Sequence, residues 1–209
     1  MASRPKQAEP RPAPRLYLIT PAGIDAAELR GAIEAADIAA VLLRLGDGDE
    51  RSLINRVKAA VPIVQDKGAA LLLDGHPELV ARGGADGAHF ANIDDFNAAR
   101  EQLKPERIVG LGEVSSRHDA MAAAEAGADY IMFGGLETAL PTTQERVGWA
   151  SELFELPCVA FANGADEIAP LVAAGADFIA LDYAWRDPRG AAAAIADTVP
   201  HLRLPERVS

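Results

Sequence analysis

The side chains able to do chemistry in this 209-residue chain sit mainly where apolar runs give way to glycine, proline or charge. Arg44 closes Val41-Leu42-Leu43. A guanidinium there suits a phosphate or carboxylate ligand, and it serves equally well in a rim ion pair with Asp47 or Asp49. Asp74-Gly75-His76 ends the next apolar run, so a carboxylate, a flexible residue and an imidazole come together. That trio suits a metal or polar substrate, while Asp74 alone also suits a helix cap ahead of Pro77. Asp94 and Asp95 follow Phe90-Ala91-Asn92-Ile93. Magnesium, a hard cation, is commonly held by one or two carboxylates, yet the same residues favour a helix N-cap or first turn, where negative charge meets the dipole.

Further on, Gly112-Glu113-Val114-Ser115-Ser116-Arg117-His118 offers hydroxyls, both signs of charge and a base candidate in His118. Ser115 or Ser116 most simply caps the helix that follows. Asn163-Gly164 and Asp182-Tyr183 end the last two apolar runs. Cys158 lies inside Cys158-Val159-Ala160-Phe161, which predicts a buried inert thiol rather than a nucleophile.

The elements that must position these groups follow from a phrase written three times. Gly84-Ala85-Asp86, Gly127-Ala128-Asp129 and Gly175-Ala176-Asp177 each join an Ala-rich helical segment to an apolar run of strand length. The glycine suits the left-handed residue that ends a helix. Adjacent copies start about 43 and 48 residues apart, right for two βα units and too far for one. Between them the remaining signals alternate. Strands are predicted at 16–20, 38–45, 69–73, 86–90, 107–111, 130–134, 158–161 and 177–181, with helices between them and one after the last. The helix from Asp25 takes Asp25 as N-cap, the sixth starts near Gln144 after a long loop from Gly134, and the last runs from about Pro188 to Val199. Eight strand and eight helical signals predict an α/β (β/α)8 TIM barrel. In that fold the Gly-Ala-Asp phrase falls at the stability face, and Arg44, Asp74, Asp94 and their neighbours at the opposite, chemical face.

Composition narrows the classes. Residues 16–200 are expected to form the barrel domain, 1–15 a disordered basic Pro-rich arm and 201–209 a tail. A formal charge of −11 excludes nucleic acid as a partner, since phosphate backbones demand a basic face. No apolar run reaches the roughly 20 residues of a membrane span. With one cysteine and no apolar leader, a cytoplasmic protein is expected. Whether the protein forms a homo-oligomer is left open.

From Leu16 to about Pro200 the chain resembles the thiamine phosphate synthase and thiazole tautomerase superfamily of small TIM barrels. The resemblance rests on Leu16-Tyr17-Leu18-Ile19-Thr20, Leu42-Leu43-Arg44, Gly84-Ala85-Asp86-Gly87-Ala88-His89-Phe90, Ala124-Glu125-Ala126-Gly127-Ala128-Asp129-Tyr130 and Gly175-Ala176-Asp177. It implies an enzyme of thiamine biosynthesis that joins a hydroxymethylpyrimidine diphosphate to a thiazole phosphate with magnesium assistance and release of pyrophosphate. Arg44 matches the family's strand-two Arg, and Asp94 one of its metal-binding Asp residues. Asp74-Gly75 replaces an Asn-Asp metal pair, so Asp74 and Asp94 are the metal candidates. Leu42, Gly46, Gly112 and Thr142 stand where the synthase has Gln, Lys, Ser and Lys. Arg44 and His118 are the catalytic candidates. Arg44, Asp74, His76, His89, Asn163, Gly164, Asp182 and Tyr183 are the candidates for holding a small phosphorylated heterocycle. The tautomerase branch is an alternative, carried by Asp74-Gly75-His76 and Tyr130-Ile131-Met132-Phe133-Gly134. A third reading is a relative that keeps the barrel and binds a small ligand or protein partner, motivated by the missing Lys, Gln and Ser and by Asp182.

Overall fold

A computed structural model describes residues 11–203, so most of the expected N-terminal arm and of the C-terminal tail lies outside the described residues. Eight parallel strands close into a barrel in sequence order. They are β1 (Arg15–Ile19), β2 (Ile38–Leu43), β3 (Ala70–Asp74), β4 (Gly87–Phe90), β5 (Ile108–Leu111), β6 (Tyr130–Phe133), β7 (Cys158–Ala162) and β8 (Phe178–Leu181). The helices are α1 (Ala26–Glu34), α2 (Glu50–Gln65), α3 (Pro77–Gly83), α4 (Ile93–Leu103), α5 (Arg117–Glu125), α6 (Leu140–Leu153), α7 (Ile168–Ala174) and α8 (Ala191–Thr198). The TIM barrel read from the alternating signals is therefore the fold.

The period of two along each strand separates two apolar layers. Leu16, Leu18, Val41, Leu43, Leu71 and Leu73 face outward into the shell of helices. Tyr17, Ile19, Ala40, Leu42, Leu72, Tyr130, Met132, Val159 and Phe161 fill the barrel interior. Large and small residues share that interior, which keeps it packed at its waist. The same parity carries onward. Two residues beyond inward Leu42 and Leu72 come Arg44 and Asp74, and Asp74 lies directly beside His89 in the β3–β4 register. Alternation thus delivers three polar groups to one end of the barrel.

At the other end the thrice-written phrase makes one device three times. Gly84, Gly127 and Gly175 hold positive φ where α3, α5 and α7 end. Each following Asp then grips the preceding strand with two bonds. The backbone N–H of Asp86, Asp129 and Asp177 donates to the carbonyls of Leu71, Val109 and Cys158 at 2.8, 2.9 and 2.9 Å. In return Leu71, Val109 and Cys158 donate their own N–H to the Asp carboxylates at 2.7, 2.7 and 2.9 Å. β3 is tied to β4, β5 to β6 and β7 to β8. Orphan strand-start donors are satisfied by charge-assisted bonds, which are the stronger kind.

Some boundaries differ from expectation, each for a local reason. The sixth helix starts at Leu140 rather than Gln144, because Pro141 sits in its first turn, where a missing N–H costs nothing. The last α-helix starts at Ala191, since a 3-10 turn, Tyr183–Arg186, takes up the chain after β8. Asp25 caps α1 as expected, accepting from the N–H groups of Ala27 and Glu28. Cys158 is buried and unpaired, and burial pushes its thiol well above the usual range, so it stays protonated.

Candidate active site

The strand C-termini open into a cavity of about 600 Å³. Its floor is apolar, from Ile19, Leu42, Met132 and Phe161, and its polar wall carries Arg44, Asp74, His89, Glu113, Ser115 and Arg146. A flat heterocycle fits such a floor, and an ionic group fits the wall.

Arg44 and Asp74 meet across the mouth, with Arg44 Nε donating to Asp74 Oδ2 at 3.0 Å. Both side chains are partly exposed, so the pair holds geometry more than it adds stability. Thr20 Oγ1 accepts the Arg44 backbone N–H at 3.1 Å, which fixes the strand end that carries the guanidinium. The alternative partners are otherwise engaged or distant: Asp49 caps α2 through Ser52 N–H. Asp74 is no helix cap either, because His76 holds the N-cap position of α3 without a side-chain cap bond.

His89 lies deeper, only 5% exposed. Its Nδ1 is 2.8 Å from Tyr130 Oη, and Tyr130 Oη is 2.8 Å from Tyr17 Oη. Burial, with Arg44 adding to it and Asp74 opposing, pushes the imidazole down to about 4, so the ring is neutral near pH 7. Burial drives both tyrosines above their usual range. Two glycines make this seat. A Cβ on Gly110 would sit within 2.4 Å of the Tyr130 ring and hydroxyl, and one on Gly112 would stand 2.5 Å from His89 Nε2. The Ser expected of the synthase near position 112 is sterically incompatible with His89 in this pose.

The remaining candidates are placed elsewhere. His118 is exposed in the first turn of α5, two residues past Ser116, whose hydroxyl caps that helix at Asp119 N–H; the structure does not bring it to the mouth. Ser115, its neighbour, does reach the wall. His76 has φ 53° and turns its Nδ1 to Glu78 Oε1 at 3.2 Å, outside the mouth lining. Asp94 is exposed in the first turn of α4, while Asn92 is the N-cap and Asp95 is bound to it in both directions. Of the two adjacent carboxylates, Asp94 is the one the cap does not use.

After β7 and β8 the chain satisfies itself. Asn163 N–H donates to Glu167 Oε2 at 2.8 Å, with Gly164 opening a short 3-10 turn between them. Asp182 is buried and paired with Arg186 one turn on, at 2.9 Å. Tyr183 points into the protein, with a sealed hydroxyl that has no partner. Trp185 donates to the Ile19 carbonyl at 2.6 Å. Asn163, Gly164, Asp182 and Tyr183 are not among the lining residues, although Asn163 Nδ2 donates at 3.4 Å to the carbonyl of Gly135, which is, and neither aromatic plugs the mouth. The mouth includes groups the sequence reading did not single out: Arg146 from α6, with no ion pair or hydrogen bond among the described residues, Glu137, and Glu113 at φ 52°. Positive φ at a non-glycine residue costs on the order of 1–3 kcal/mol and clusters at functional sites. It was the readable signal only in three dimensions.

Two guanidinium groups thus face three carboxylates, Asp74, Glu113 and Glu137. Protein charge alone does not favour a polyanion here. Among the described residues, no group of three or more His, Cys, Asp or Glu is arranged around a metal position. A magnesium ion would fit as a partly substrate-borne ion, with one or two carboxylates and the remaining ligands from phosphate oxygens and water.

Comparison with known proteins agrees with this picture. The family profile described as Thiamine monophosphate synthase matches residues 16–184. The thiamine-phosphate synthase of Rhodospirillum centenum is 41% identical over 196 residues, covering 88% of this chain and 95% of that protein. The one from Hyphomonas neptunium is 39% identical, covering 90% and 93%. Among solved structures, the thiamine phosphate pyrophosphorylase from Pyrococcus furiosus superposes with a TM-score of 0.80 at 22% identity, covering 92% of this chain and 96% of that one, a likeness of fold.

Proposed function

Because the chain belongs to the thiamine monophosphate synthase family, we propose that its mouth couples a hydroxymethylpyrimidine diphosphate to a thiazole phosphate. The bond from the pyrimidine methylene carbon to the diphosphate oxygen breaks, the electron pair leaves with pyrophosphate, and the thiazole nitrogen forms the new bond to that carbon. The observation that carries this reading is the cavity itself. An apolar floor seats the rings, while Arg44 and Arg146 on the wall meet the phosphates.

Magnesium is part of the proposal. It would be held by Asp74 on the wall with diphosphate oxygens and water, and it would offset the negative charge of the leaving group; Asp94, the other carboxylate candidate, stands in the first turn of α4 outside the lining. The excess of carboxylates on the wall supports it, since the diphosphate otherwise meets repulsion. What the chain itself contributes is position: Arg44, tied by Asp74 and Thr20, and the apolar floor that excludes water from the cationic carbon. Among the described residues no helix is long and apolar enough to cross a membrane.

The test is direct. Purified protein with magnesium and both phosphorylated precursors is expected to release pyrophosphate and thiamine phosphate in equal amounts, and chelation to stop it. No product under those conditions sinks the reading. A second reading is favoured by one observation, the carboxylates of Glu167 and Asp182 where a phosphate would approach the loops after β7 and β8. On it the barrel binds a small ligand without synthase chemistry. Formation of thiamine phosphate from both precursors that is lost in Arg44→Ala would argue against it.

A further inference from the structure

We infer that the buried chain Tyr17–Tyr130–His89 fixes His89 as the tautomer protonated at Nε2, so that a neutral N–H donor faces a ring nitrogen of the heterocyclic substrate. The inference rests on the proposed function for the identity of the acceptor, and on geometry alone for the tautomer.

Three groups share two hydrogen bonds in a line through the barrel interior, each 2.8 Å long. Three proton arrangements fill both bonds, and the one in which Nδ1–H and Tyr17 both donate to Tyr130 strands the Tyr130 proton, which leaves two to weigh. In one, Nδ1–H donates to Tyr130, Tyr130 donates to Tyr17, and the Tyr17 proton has no protein acceptor among the described residues. The space beside Tyr17 and Tyr130 at that end is a cavity of about 250 Å³ walled by Ala40, Ala70, Leu72, Val159 and Phe178. The carboxylates that face the two tyrosines are Asp74, bonded by Arg44 Nε, and Asp129, engaged by Lys104 and by Val109 N–H, and neither is hydrogen-bonded to a tyrosine hydroxyl. In the other arrangement Tyr17 donates to Tyr130, Tyr130 donates to Nδ1, and every proton is used. Leaving a buried hydroxyl unmatched costs about 1–3 kcal/mol, so the second arrangement wins.

That arrangement puts the remaining imidazole proton on Nε2. No protein group among the described residues bonds Nε2. Nor is it sealed, because Tyr183 Oη is the one side-chain polar atom among the described residues that is both sealed and unpartnered. His89 lines the mouth, and the missing side chain of Gly112 clears the approach to Nε2. The floor around it is Leu42, Met132 and Phe161, a setting for a ring rather than a phosphate. The charged groups facing it are Arg44 and Asp74, paired with each other. Tyr130 and Tyr17 are thus positioning residues acting through His89.

Long-range 1H–15N spectra of the 15N-histidine protein, with His89 assigned by its loss in His89→Gln, test this without substrate. At pH 7 the expected pattern is a protonated Nε2 and an unprotonated Nδ1. The reverse pattern, or two averaged nitrogens, overturns the inference. In Tyr130→Phe the preference is expected to weaken about fivefold or more, the worth of one hydrogen bond. Tyr17→Phe removes the upstream donor and should shift the pattern in the same direction, which keeps the test open if Tyr130→Phe does not fold. Unchanged spectra in a folded variant overturn the role of the tyrosines. Addition of an unphosphorylated hydroxymethylpyrimidine is then expected to move the Nε2 signal, and inorganic pyrophosphate is expected to leave it in place. The opposite result refutes the ring-nitrogen acceptor. An absent synthase activity with the expected spectra would count against the proposed function and leave the tautomer standing.

Discussion

The two ends of this barrel are built on opposite principles. At the N-terminal end Asp86, Asp129 and Asp177 repeat one clamp on alternate strands, with the same partners in the same geometry. At the C-terminal end the groups differ from strand to strand: Arg44 follows β2, Asp74 ends β3, His89 lies near the end of β4, and glycines, Gly112 and Gly134, follow β5 and β6. Stability is served by repetition, because every strand start poses the same problem of an unsatisfied N–H. Chemistry is served by difference, because a substrate presents a different atom in each direction.

The contrast breaks most visibly at Arg44. Arg44→Ala is expected to lower kcat/KM by about 100- to 1,000-fold, the range for losing one preorganised charge-stabilising group. Its ion pair with Asp74 is partly exposed, so thermal stability should move little. Steady-state kinetics beside a melting curve measures both. A large fall in Tm with proportionate loss of activity would mean that the mouth is structural after all.

The clamps should behave the other way. Asp177→Ala removes the carboxylate that takes the Cys158 N–H and leaves a strand-start donor unmatched. The expected cost is about 1.5–3 kcal/mol, or a Tm lower by roughly 3–10 °C for a chain of this size. Turnover per folded molecule should stay within about twofold, because the site lies at the far end of β8 and β7. Differential scanning calorimetry and active-site titration check the two halves. A variant of unchanged Tm that loses turnover would erase the division between the faces.

How much of each end can be read from residues follows from the same contrast. The clamps are legible because helix end, glycine and Asp lie within three consecutive residues, and the repetition marks them. Arg44, Asp74 and His89 are legible through strand parity, since an inward residue two positions earlier predicts an inward residue at the end. Arg146 and Glu137 are not, because α6 and its loop reach the mouth by a tertiary path that local pattern does not encode. The placement of Asn163 and Asp182 away from the lining has a physical cause too. Polar residues just past a strand are often consumed by the chain's own donors, as Glu167 takes Asn163 N–H and Arg186 takes Asp182. A strand-end carboxylate announces a site only when no partner lies one turn away.

The smallest effect sharpens the contrast by giving the mouth a stability cost that the clamps lack. His89 titrates near 4 in the folded chain against about 6.5 when unfolded, lowered mainly by burial. Between those values the unfolded state binds the extra proton, so stability rises with pH. The penalty is absent above about pH 6.5, grows as pH falls through the window, and is complete below about pH 4. Its slope is about 1.4 kcal/mol per pH unit inside the window, or about 2 kcal/mol between pH 6.5 and 5. His89→Gln keeps a polar side chain and removes the titration, so its denaturation midpoint should fall less steeply over that interval than the native chain's. Other acid-sensitive groups are common to both proteins and cancel in the difference. Parallel pH profiles would mean that the imidazole is charged in the folded state, and that the mouth is wetter and more polar than its apolar floor implies.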